Sequence, residues 1–107
     1  MKSLNFVRGI NIMTVRTAYS NKSFKNLQTG LPSLHYIALE QPGFISGKSF
    51  WNENYTELIT LSRWDSLESW NEWKESEIRR EVLEKCDMIN ETTVFHKRLI
   101  KYSDVLV

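Results

Sequence analysis

One cysteine, two prolines, four glycines and two histidines among 107 residues remove whole classes of protein at the outset. A lone Cys86 forms no intrachain disulfide, so no disulfide framework is required and a cytoplasmic setting is expected. Two histidines and that cysteine, spread along the chain, lack the spacing of a metal centre. The glycines form no G-x-G-x-x-G and no P-loop, and no G-x-S-x-G occurs, which leaves no nucleotide cradle and no hydrolase elbow. Charge of one sign is lacking too. Fourteen Lys and Arg against thirteen Asp and Glu give a formal +1, whereas nucleic-acid binding draws on a basic excess. No apolar run approaches the roughly 20 residues of a bilayer span. Arg8, with Asn5 and Asn11, interrupts any signal-peptide core in residues 1–13, so no secretory signal is expected.

What is present fits one domain over residues 1–107. With 41% hydrophobic and 25% charged residues the composition is globular. A chain of this length buries roughly two-thirds of the surface it exposes when unfolded. Asn5 to Thr17 is rich in β-branched and aromatic residues and reads as a first strand. A short helix is expected over about 19–30. A second helical piece is expected over about 31–40, with Pro32 in its first turn and Leu34, Ile37 and Ala38 on one face. Gln41-Pro42-Gly43 stops it. Phe44–Trp51 and Tyr55–Trp64 then read as an antiparallel hairpin around Asn52-Glu53-Asn54. Asp65, three residues before Glu68, is the expected N-cap of the tryptophan-rich helix. That helix cannot run straight. Leu67, Trp70 and Trp73 share one stripe, while Ile78, Val82, Cys86 and Ile89 lie on a stripe rotated by about 100°. A break near Ser76, which then caps a segment starting at Glu77, is the simpler account. Thr92–Tyr102 reads as the last strand.

The order β–α–β–β–α–β predicts an α+β fold of the ferredoxin-like kind, a four-stranded antiparallel sheet with helices on one face. Its strands carry apolar residues on both alternations: Phe6, Ile10 and Ile12 against Val7, Met13 and Val15, then Ile59 and Leu61 against Leu58 and Trp64, then Val94, Ile100 and Tyr102 against Phe95 and Leu99. A sheet open to water on one side is normally polar there. A second copy is the expected cover, giving a homodimer that buries on the order of 800 Å² per subunit.

From Pro42 to Arg80 a more specific pattern appears: PGF, a strand, then LITLSRWDSLESWNEWKESEIRR. It resembles the antibiotic biosynthesis monooxygenase domain family in the Pro-Gly before the second strand, the Arg-Trp closing the third, the W-x-S step into the tryptophan-rich helix and W-x-x-S within it. The resemblance implies a dimeric α+β barrel with a pocket between sheet and helices in each subunit. It also implies cofactor-independent monooxygenation of an aromatic or polyketide-like molecule, the substrate itself supplying electrons to O₂. A ligand-binding or structural dimer of the same fold is the rival. The haem-degrading branch of the resemblance calls for a His ten residues after a helix-2 Trp. Trp73 matches that Trp, but Leu83 stands at the second position, and leucine cannot ligate iron. No cofactor is therefore expected, and haem is disfavoured.

Candidate residues follow on the same footing. Asn11, the β1 match to a family Asn (with Asn5 the other option), carries a donor and an acceptor into an apolar strand. Trp73 sits at the proposed helix break. His35 and His96 are the proton acceptors with an ordinary pKa near neutrality, and His35 is preferred because its helix should border the pocket. Trp64, Phe44 and Arg79 are placed with substrate binding, Arg79 as partner to an anionic group. The expected partners are a second copy and a small apolar or aromatic ligand, with no nucleic acid and no membrane.

Overall fold

The computed structural model describes residues 9–89 and 94–99. Their elements run β1 (Ile10–Thr17), α1 (Asn21–Ala38), β2 (Phe44–Trp51), β3 (Glu57–Trp64), α2 (Leu67–Lys74), α3 (Glu77–Lys85) and β4 (Val94–Leu99). The strands form an antiparallel sheet in the order β2-β3-β1-β4. The expected extensions of the first and last strands, including Asn5, Phe6, Val7, Ile100 and Tyr102, fall outside the described residues.

Two helical expectations need correction. Residues expected to form two pieces make one helix from Asn21 to Ala38, capped by Ser20, whose Oγ accepts from the Ser23 amide. Pro32 sits inside it. Both Pro32 and Gln28, four residues earlier, are exposed, so water can satisfy the carbonyl that proline leaves unbonded and the helix continues. Gly30 is a packing contact instead of a stop: a Cβ there would lie 2.7 Å from Cys86 Cβ and 3.0 Å from Met88 Sδ. The second correction is the cap of α2. Ser66, not Asp65, takes the position and accepts from the Ser69 amide. A shorter hydroxyl one residue on makes the same bond.

The helix break stands where the pattern put it. α2 ends at Lys74, and Ser76 caps α3 by accepting from the Arg79 amide at 3.2 Å. The expected apolar stripe of α3 does not all turn inward: Ile78 and Ile89 are exposed and Arg79 is buried. On α2, Trp70 and Trp73 are buried and Leu67 is exposed.

Register sorts the sheet into cross-strand rows of alternating face. Rows toward the helices are Phe44–Trp64–Ile10, Gly47–Ser62–Ile12, Ser49–Thr60–Thr14 and Trp51–Leu58–Arg16. The buried core consequently comes in two parts. One gathers Ile12, Leu34, Ala38, Trp64, Trp70 and Trp73; the other gathers Leu27, Leu58 and Met88. Between them the sheet carries hydroxyls and an arginine. The opposite face carries Phe50–Ile59–Val15 and Lys48–Leu61–Met13, with Phe50 exposed.

Candidate active site

A cleft of about 460 Å³, its open mouth included, lies between the helices and the middle of the sheet. Its enclosed part is about 50 Å³, room for a carboxylate-sized group, and the rest is open mouth. Its aromatic wall begins with Trp64, the most buried large side chain at 1% exposure, whose Nε1–H donates to Ser62 Oγ at 3.0 Å. That bond satisfies the indole and fixes its plane. Trp73 stacks on it with centroids 6.3 Å apart, while Trp70 and Phe44 meet it edge-on at 5.8 and 5.1 Å. His35 meets Phe44 edge-on at 6.1 Å and, being exposed, stands at the mouth. Gly43 positions Phe44: its φ of 87° suits glycine, and a Cβ there would collide with Ser69 and Asp65.

The floor is polar. Ser49 and Thr60 share a hydroxyl bond of 2.7 Å, and Thr14, the β1 partner of Thr60, is buried. Beyond them lie two arginines, Arg16 at 3% exposure and Arg79 at 8%. Both line the cleft, and among the described residues no Asp or Glu does. Arg79 donates from one terminal nitrogen to the Lys74 carbonyl at 3.4 Å. Both Nε atoms are buried without a hydrogen-bond partner, and neither side chain belongs to an ion pair among the described residues. Burial, and after it the charge of Arg79, lowers the Arg16 pKa to about 10. Burial also lowers that of Arg79. Desolvated cations of this kind are normally paired.

Five of the six candidates from sequence, Trp64, Trp73, Phe44, His35 and Arg79, meet at this one cleft. The expected place of Asn11 there is corrected. It sits on the other alternation of β1 and lines a shallow groove with Ser46, Lys48, Leu61 and Arg63 on the helix-free face. His96 is the β4 register partner of Thr14. Leu83, at the position where a haem ligand would stand, packs against both parts of the core. Among the described residues no group of His, Cys, Asp and Glu is placed to hold a metal ion, and no helix is long and apolar enough to cross a membrane.

Sequence reasoning missed Arg16 and the hydroxyl floor. The signal was available: Arg16 shares the alternation of Ile10, Ile12 and Thr14, so a charge stood on the strand face that turns toward the helices.

No family model matches the sequence, and neither does any curated protein. Solved structures do match in three dimensions. SnoaB, a cofactor-independent oxygenase from Streptomyces nogalater, superposes with a TM-score of 0.77 over 94% of this chain and 100% of its own, at 8% identity. A candidate antibiotic biosynthesis monooxygenase from Deinococcus radiodurans gives 0.76 over 92% and 97%, at 10% identity. Another from Nitrosomonas europaea gives 0.69 over 96% and 98%, at 10% identity. The chain shares the fold of these structures. At these identities the monooxygenase likeness lies in the fold, and the side chains of the cleft are this chain's own.

Proposed function

We propose that the chain is a homodimer whose two clefts each bind an aromatic or polyketide-like molecule and oxygenate it without a cofactor. The carrying observation is the cleft itself: aromatic side chains and two buried cations that favour an oxyanion line it together. SnoaB, with the same fold, is a cofactor-independent oxygenase, which supports the cofactor-free reading. In such a reaction a phenol with a free para C–H and one O₂ give a quinone and one water. One oxygen atom enters the ring, the other leaves as water, and all four electrons come from the substrate. Phenolate is the electron-rich form, so the protein's tasks are to lower the cost of that charge and to accept the phenolic proton. Arg16 and Arg79 serve the first task. His35, or a water at the mouth beside it, serves the second.

The homodimer rests on the helix-free face, where Phe50, Ile59, Val15, Leu61 and Met13 form an apolar field across three strands. Size-exclusion chromatography with light scattering should give a dimer at micromolar concentration, and a clean monomer overturns that part. Oxygen uptake with a panel of phenols and hydroquinones tests the chemistry. At least one should consume O₂ above the blank, and Trp73→Ala should lower kcat/KM for it by about tenfold or more through loss of positioning. Uptake no higher than the blank across the panel leaves the oxygenase reading without support.

A further inference from the structure

We infer that Arg16 and Arg79 form a carboxylate clamp, and that the molecule the cleft takes is an aromatic acid whose carboxylate lies between the two guanidinium groups while its ring stacks along Trp73 and Phe44. The inference rests on reading the cleft as the ligand pocket. It adds a substrate class and gives the arginines a ground-state anchoring task.

Both arginines are more than nine-tenths buried, both line the cleft, and each has an Nε–H with no acceptor. The charge of Arg79 acts unfavourably on that of Arg16. A fold that needed Arg16 only for packing would gain by an apolar side chain of similar length, because a buried unpaired charge is destabilising. Two like charges retained in one cleft, with no Asp or Glu among its described lining residues, are complementary to one bidentate anion. Carboxylate suits a planar guanidinium fork, and Trp73 and Phe44 line the same cleft as the two arginines. A neutral ligand of the same shape would leave both cations unpaired.

Isothermal titration calorimetry on the full chain with 2-naphthoate and 2-naphthamide, matched in shape and differing in charge, reads this directly. Naphthoate should bind about tenfold more tightly or better, and acetate, which lacks the ring, far more weakly than naphthoate. Arg16→Gln and Arg79→Gln should each erase most of the preference for acid over amide, and Arg79→Lys should restore part of it. A second readout separates anchoring from a structural role: Arg16→Met should raise the melting temperature of the ligand-free protein while abolishing naphthoate binding. Equal binding of acid and amide, acetate binding as tightly as naphthoate, no binding of any of the three, or a melting temperature that falls in Arg16→Met would each overturn the clamp. Acid preference without oxygen consumption keeps the clamp and removes the oxygenase. Oxygen consumption with neutral phenols and no acid preference does the reverse.

Discussion

At their centres, though not at their ends, the two faces of the sheet are filled in the opposite sense from a simple α+β layer. The face covered by helices is polar at its centre, with Ser49, Thr60, Thr14 and Arg16, and apolar only toward its ends. The helix-free face is apolar across its middle, with Phe50, Ile59 and Val15 in one row and Leu61 and Met13 in the next. Hydrophobic burial alone would place these sets the other way round. The covered polar centre makes sense as space kept for a ligand. The apolar outer face makes sense as a surface kept for a second copy.

The contrast can be broken from either side. The largest effect should come from Ile59→Glu on the outer face. Two carboxylates buried without partners against apolar rows should abolish the proposed dimer at micromolar concentration, with monomer mass read by light scattering. On the covered face, Trp64→Ala removes the side chain that the other aromatic rings meet. It should cost about 3–5 kcal/mol in urea unfolding. A loss below about 1 kcal/mol would show that this wall does not hold the fold.

Arg16→Met comes next and has a pH signature. Because burial brings the Arg16 pKa in the folded chain down to about 10, the folded state releases this proton before the unfolded state does. Below that value both states hold it and the full destabilisation by the buried charge is present. Between it and the ordinary arginine range the unfolded state binds more protons, so the wild-type chain gains stability as pH rises. The advantage of Arg16→Met, at most a few kcal/mol, should therefore be full near neutrality and shrink above about pH 10. Paired urea titrations measure it, with every other alkaline titration common to both proteins. The smallest effect is Thr60→Val. It puts an apolar residue in the middle of the covered face and should change stability by less than about 1 kcal/mol while weakening ligand binding. A large gain in stability would mark the hydroxyl floor as an ordinary compromise of the core.

Much of this was legible in the sequence, and the exceptions have physical causes. The β2–β3 hairpin was legible because Gly43 and the Asn52-Glu53-Asn54 turn bound runs of β-formers, although the turn runs on through Tyr55 and the third strand starts at Glu57 instead of Tyr55. The Ser76 joint was legible because two apolar stripes out of phase cannot share one straight helix. Continuous α1 was not, since Gly30 and Pro32 are stop signals locally and only tertiary contact with Cys86 and Met88, and an exposed proline face, reverse their meaning. Arg79 was singled out as a ligand partner, but its burial was not visible, because Ile78 beside it competes for the inward position. Arg16 was passed over because a charged residue near a strand end reads as solvated until its row partners Leu58 and Trp51 are known. Asn11 was placed in the cleft by pattern, and the parity of its position on β1 puts it on the other face.

The joint between α2 and α3 has a mechanical consequence. Arg79 lies six positions after Trp73, and on an unbroken helix that spacing points the two side chains about 120° apart, toward different faces. The Glu75–Ser76 step resets the angular phase, and both side chains enter the cleft. The joint thus acts as a rotational index between the ring that would hold a ligand and the charge that would orient it. Adding or removing one residue there would turn α3 by about 100°, exchanging Arg79 for a neighbour at the cleft wall while leaving the sheet, the tryptophans and the outer face as they are.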